Sequence, residues 1–436
     1  MRNTFVLWDK STGKCLHNFI TWKDSRCKQL CDEWNDSFRL KCLQTVSKLI
    51  YYVTRHKRYL SASLLKFVTG MVAMRLLWIL NKYKHVREAA VNGKVLYGTV
   101  DTWLVWKFTA GKVHATDASN ACVSGLFDPF QLQWSSLVLS MLNIPESMFP
   151  EILPTNGDYG STFSSLFGVS IPIRAVVGDQ QAAMFGECCF NVGDVKCTLG
   201  TGSFMNINTG EEPHTSFKGL YPIVGWKLCS GELVYLAEGS AFDTGTTITW
   251  AQKLGLFKDP FESSDVAKSV EDTGGVYFVP AFSGLQAPIN DPTAVSSFIG
   301  ISQSTQTAHL VRAILESLAF RVKQIYESML QESKLRVSHF RVNGGVSKND
   351  FVLQLIADLT ANEVQRSSTN EMSCLGAAYL AGLASGFWKD SEELMILQKT
   401  QQVFKPENNW DSKYKDVVMQ WERAVFRCLQ WYNQKL

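Results

Sequence analysis

The 436 residues, with 46% hydrophobic and 19% charged, suffice for two or three domains with their own cores and exclude disordered and collagen-like classes. A net charge of +3 with scattered Lys and Arg gives no basic stripe and no case for nucleic acid. Eleven cysteines, odd in number and without a Cys-x-x-Cys pair, argue against a disulfide framework or zinc and for reduced thiols in a cytoplasmic setting.

Thr4 to Trp8 reads as a strand, Asp9 to Lys14 as a turn, and Cys15 to Trp22 as the returning strand. Asp24 to Ser47 and Ala62 to Asn81 carry helical spacing, and Arg55-His56-Lys57-Arg58 between them reads as a solvated helix end. The apolar run Met71 to Leu80 is broken by Arg75 and falls short of a membrane span. Val95 to Trp106 mixes strand and helix-start signals, with Asp101 or Thr102 as the cap. Leu137 to Leu142 reads as a short helix stopped at Ile144-Pro145, and Pro150 to Gly160 as loop.

The central stretch starts at Arg174. Arg174 to Val177 is a β-branched run that gives onto Gly178-Asp179-Gln180-Gln181 and then a helix. About twenty residues on, Val195 to Thr198 leads into Leu199-Gly200-Thr201-Gly202-Ser203, a glycine-flanked turn whose backbone N–H groups can converge on an anion. Phosphoryl transfer needs positioning, charge stabilisation and a base for the acceptor hydroxyl; Asp179 is the candidate base. Each motif has a plainer reading beside it, Asp179 as a helix cap and Gly-Thr-Gly as a hairpin turn.

Leu233 to Ala237 reads as a strand ending at Glu238, Gly245 to Trp250 as a helix start, and Gly275 to Pro280 as another strand. Thr307 to Leu330 is a long helix with Leu310, Ile314, Leu318 and Val322 on one face. Phe340 to Val342 meets Asn343-Gly344-Gly345-Val346-Ser347-Lys348-Asn349, which suits either a nucleotide's phosphate or ribose, or a tight strand-to-helix turn. Leu375 to Gly382 is a small-residue helix suited to close packing, and Asp411 to Leu436 one amphipathic surface helix.

In this order the segments resemble the FGGY family of carbohydrate kinases. Ser296 to Ile301 followed by His309 to Glu316 is similar to the family's second signature, and Gly98 to Leu104 with Pro280 to Leu285 inclines toward glycerol kinases over pentose kinases. The resemblance implies an α/β fold of two actin-like (ribonuclease H-like) ATPase domains around a central cleft, the first without its N-terminal strands. Residues 1–187 would be the substrate domain, 193–386 the nucleotide domain and 387–436 a helical tail. Carried across by motif, Asp179 would be the base on the polyol hydroxyl. Arg2, Asn3, Trp22, Gln180 and Phe204 would join it at the polyol, and Thr201, Gly202, Gly245, Thr249, Gly345 and Asn349 would line the nucleotide site. No metal ligand is assigned; ATP and Mg2+, the ion held largely by ATP phosphates, are the implied cofactors.

The departures bear on substrate choice. Asn3 stands where the family has a glutamate, Gly70 where glycerol kinases carry a tyrosine, Arg75 in place of a lysine and Thr249 in place of a glutamine. The family's opening hairpin with Asp-x-Gly-Thr has no match, so the first sheet is expected to have an exposed edge and unfilled core, Arg2 to hang at a loose terminus, and the chain to be a truncated, impaired form. The function implied is ATP-dependent phosphorylation of a polyol, glycerol to sn-glycerol 3-phosphate, in a protein that can form homo-oligomers. The alternatives are a noncatalytic nucleotide-binding protein acting through a partner and a kinase for another sugar or sugar alcohol.

Overall fold

The ladder that organises the second half of the chain begins at Val195–Leu199, in a computed structural model that describes residues 2–216, 218–407 and 410–432. Seven strands join it in the order Thr400–Phe404, Val364–Ser367, Phe340–Asn343, Val195–Leu199, Ser203–Gly210, Leu233–Ala241 and Tyr221–Lys227. Phe340–Asn343 runs parallel to both its neighbours, and the other pairings are antiparallel. Because side chains alternate across a strand, Val195, Cys197, Leu199, Phe340 and Val342 face one side and enter the main core with Val311, Ile314 and Leu318 of the helix Thr307–Ser333. The other face carries buried polar groups: Lys196, Asn206, Asn208, Glu238 and Asn343.

Against that polar face lies the helix Asp179–Gly186, backed by Met372–Ala384. Their approach is close because the contact is made of small residues. A Cβ on Gly376 would fall 1.8 Å from the Ala182 carbonyl oxygen, and one on Gly186 2.3 Å from that of Met372.

The first half is assembled differently. Phe5–Asp9 pairs antiparallel with Val95–Thr99, whereas Cys15 to Trp22 is no strand: it meets the ribbon through isolated bridges, Trp8 to Cys15 and Phe5 to Ile20. The ladder goes to the distant strand because that one is buried along its whole length. Nor is the core beside the ribbon unfilled: Phe5 and Leu7 enter the first core, and Val6 and Trp8 pack with Leu96, Trp103 and Trp106 on the opposite face. The region from Asp24 to Ser47 divides into Lys28–Asp36 and Phe38–Thr54, broken where the Ser37 hydroxyl caps the second helix by accepting from the Leu40 N–H. Ala62 to Asn81 likewise divides, into Lys57–Ser63 and Val72–Lys82. The cap before Val100–Phe108 is Thr99, while Asp101 sits inside the helix and accepts from the Thr116 hydroxyl at 2.6 Å.

Two more readings are corrected, and the strand expected within Gly275 to Pro280 is found outside the large sheet. Arg174 to Val177 is extended but joins no ladder; Val176 N–H donates to the Thr155 carbonyl and Gly178 N–H to the Ser119 hydroxyl. Tyr277–Val279 pairs only with Ser297–Ile299, outside the large sheet. The tail is no separate surface helix: Thr400–Phe404 closes the sheet's edge, and Trp410–Arg427 buries Tyr414, Val418, Trp421 and Val425 in the main core. Residues 433–436 of that call, like Met1, lie outside the described residues. Among the described residues no helix is long and apolar enough to cross a membrane.

Candidate active site

Asp179 is the first residue of its helix, with Gly178 in the cap position. Its carboxylate is thus free of the capping bond and stands at the helix's positive end, which favours negative charge. Oδ1 accepts from Arg2 Nε at 2.9 Å and from the Gln180 N–H at 2.8 Å, while the side chain stays 42% exposed. Burial pushes this carboxyl upward, but the Arg2 guanidinium together with the Gln180 N–H outweighs it and holds Asp179 below its usual range.

Arg2 is not loose at a terminus. Its side chain is 9% exposed, and Nη2 also donates to both oxygens of Glu238, at 3.1 and 2.9 Å. Burial lowers an arginine's pKa, yet the two carboxylates raise it overall, so the guanidinium stays charged. Glu238 lies within the strand Leu233–Ala241, which runs past the predicted end, and accepts from Asn206 Nδ2 at 3.0 Å. One guanidinium thereby ties the first half of the chain to the sheet of the second, and its Nη1 and the neighbouring Asn3 Oδ1 are buried without a hydrogen-bond partner. Two buried polar atoms left free beside a carboxylate are what a polyol's hydroxyls could satisfy.

Arg75 positions this corner from below. Fully buried, it donates to the carbonyls of Asn3, Thr21 and Gly70 at 2.8, 2.6 and 2.7 Å. Burial lowers its pKa, partly offset by nearby ionisable groups. The Thr21 bond places Trp22, whose ring lies 6.2 Å from Phe204 and 5.3 Å from Phe242. The three partly buried aromatics form an apolar wall suited to a carbon backbone. A Cβ on Gly70 would meet only the Trp22 carbonyl oxygen, at 4.0 Å.

In the glycine-flanked loop, Gly200 and Thr201 turn their carbonyls inward: Gly245 N–H donates to the first, Thr244 and Thr246 N–H to the second. The Thr201 side remains exposed. Gly344, at φ +95° in the left-handed region that favours glycine, brings Phe340–Asn343 so close that a Cβ there would lie 2.6 Å from the Leu199 carbonyl oxygen. A Cβ on Gly345 would meet nothing. Thr201 and Gly245 are thus drawn together by these loop bonds, and Thr249, one turn after Gly245, is exposed. Gly202 is otherwise: a Cβ would fall 2.7 Å from the Ala241 carbonyl oxygen, so packing accounts for it. Asn349 caps Asp350–Thr360 by accepting from the Val352 N–H and donates to Ser263 Oγ at 3.0 Å.

Sequence reasoning passed over Glu238, Lys196, Phe242 and the positioning part of Arg75. A carboxylate closing an apolar run was a usable signal for Glu238; a lysine inside a strand gave none, since alternation normally sends it to solvent.

Residues 1–186 match the N-terminal domain of the FGGY family of carbohydrate kinases and residues 195–385 its C-terminal domain. The chain is 51% identical to glycerol kinase 5 of Danio rerio, covering 99% of this chain and 83% of that protein. It is 49% identical to glycerol kinase 5 of Homo sapiens, over 99% and 82%. A crystal structure of Plasmodium falciparum glycerol kinase with ADP superposes with a TM-score of 0.87 at 33% identity, over 98% of this chain and 82% of that one.

Proposed function

This chain belongs to the FGGY family of carbohydrate kinases, and from that premise we propose that it phosphorylates glycerol at the expense of ATP, giving sn-glycerol 3-phosphate. The observation that supports the proposal is the carboxylate of Asp179: held ionised and partly exposed, it is bonded to the Arg2 guanidinium, whose Nη1 has no partner of its own. Asp179 accepts the proton of the attacking hydroxyl, Arg2 Nη1 and Asn3 Oδ1 bond the remaining hydroxyls, and Trp22, Phe204 and Phe242 cover the carbon chain. Asn3 accepts a bond there without adding charge.

ATP supplies the phosphoryl group when bound. Thr201 donates to its phosphates, and Gly245, Thr249 and Gly345 line the remaining nucleotide surface; Gly202 and Asn349 shape that surface from behind. The fit is supported by the open space over Gly345 and by loop carbonyls turned away from where an anion would lie. We assign the magnesium ion to the nucleotide's phosphates, whose oxygens suit a hard cation. The free cysteines support a reducing, cytoplasmic setting.

A coupled assay of ADP release with glycerol, alongside a panel of sugars and sugar alcohols, tests the reading. Glycerol-dependent release that exceeds release with every other acceptor is expected; tight ATP binding with no acceptor-dependent release would overturn it.

A further inference from the structure

We propose that Lys196 is a positioning residue that fixes which end of the Gln180 amide faces the polyol, and so helps to set the site's preference for a hydroxyl beside Asp179. The proposal rests on the polyol kinase reading above and deepens it. Lys196 is fully buried on the polar face of the large sheet, with Nζ 2.6 Å from Gln180 Oε1 and 3.1 Å from Thr198 Oγ1. An ammonium only donates, so the amide atom facing it must be the oxygen, and the amide NH2 is turned away from the lysine.

Gln180 follows Asp179 in the first turn of the helix and is itself only partly buried. A hydroxyl that donates its proton to Asp179 keeps lone pairs free, and an NH2 presented next to the carboxylate answers one of them. With the amide reversed, two acceptors would stand side by side and the hydroxyl would lose a bond. The arrangement thus favours a hydroxyl, both donor and acceptor, over a group that can only donate.

The charge on Lys196 is adjustable. Burial pushes it down to about 8, opposed by Glu238 and Asp179 and aided by Arg2, with Arg341 opposite it on the neighbouring strand and Glu187 and Cys189 close by. Below that value the ammonium holds the amide; above it the neutral amine has a lone pair of its own and no longer dictates the orientation.

The test compares wild type, Lys196→Met and Lys196→Arg by steady-state kinetics across pH and by calorimetric glycerol binding, which requires no turnover, with binding of a nonhydrolysable ATP analogue as the folding control. In wild type the glycerol KM should rise severalfold above about pH 8 while kcat changes little. Lys196→Met should raise the KM at neutral pH by roughly tenfold or more and abolish the alkaline rise. Lys196→Arg, also donor-only and charged throughout, should keep the KM near wild type at neutral pH and stay flat. Should Lys196→Met fail to fold, the wild-type and Lys196→Arg profiles decide. An unchanged KM in Lys196→Met, or an alkaline rise that persists in Lys196→Arg, overturns the proposal and leaves the kinase reading standing. Lysine-dependent glycerol binding without transfer would sink the kinase reading alone, and absence of glycerol binding in wild type would sink both.

Discussion

The two halves of the molecule hold their functional groups by different means. In the second half, Gly200, Gly245 and Gly344 are fixed by backbone: strand ladders and glycine contacts set them, and side chains add little. In the first half the ribbon has two strands, and the corner that carries Arg2, Asn3 and Trp22 is held by a buried guanidinium donating to carbonyls and by an ion pair reaching into the other half. The lesson is that the corner at Arg2 and Trp22 depends on a few replaceable side chains, whereas the glycine loops of the second half are distributed over many backbone bonds.

The sharpest way to separate the halves is Asp179→Asn. Turnover should fall by roughly a hundredfold or more, while the affinity for an ATP analogue measured by calorimetry stays within about twofold, because the substitution leaves the glycine loops untouched. Nearly normal turnover would remove this carboxylate from the chemistry.

Arg75→Met attacks the support of the first half. Several carbonyls lose their donor in a buried place, so denaturant unfolding should show a loss of roughly 3 kcal/mol, and the glycerol KM should rise with the ATP KM unmoved. Equal damage to both Michaelis constants would contradict the contrast between the halves.

Gly376→Ala tests a place where the site helix relies on backbone packing. The methyl group would meet the Ala182 carbonyl oxygen at 1.8 Å, so the two helices must part; thermal melts should report a cost of roughly 1–3 kcal/mol, with a fall in kcat as Asp179 moves. Asn349→Ala removes a cap from the second half and should cost only about 1 kcal/mol, with the ATP KM nearly unchanged, since the adjoining ladder holds Gly344 and Gly345.

The smallest effect expected is none. A carboxyl held below its usual 3.8 is already ionised throughout the neutral and mildly acidic range, and its proton-accepting form is lost only as pH falls through that depressed value. The kcat profile should therefore stay level from about pH 8 to about pH 5. An acid limb near pH 6.5 would point to a different base.

What was legible in the sequence was local. Asp179 before an apolar helix, the glycine pair around Thr201 and the glycines after Phe340–Asn343 all announce themselves because glycine and helix-start chemistry act over a few residues. Arg174 to Val177 misled for the same reason: β-branched residues suit a strand, but a ladder needs a neighbour, and here the N–H groups go to a loop carbonyl and a serine hydroxyl. The tail misled too, since an amphipathic stripe says that a face is buried without saying in which core.

Composition and spacing by themselves determined the class of the chain and the order of its elements and marked Asp179 and the glycine-flanked loop as candidates, all properties of short segments. Only the tertiary structure decided that Arg2 is locked between Asp179 and Glu238, that Arg75 holds the backbone at Asn3, and that a buried lysine bonds Gln180. Those contacts join residues from 16 to 236 positions apart, and their strength depends on exclusion from water, which no residue's identity specifies until the chain has folded around it.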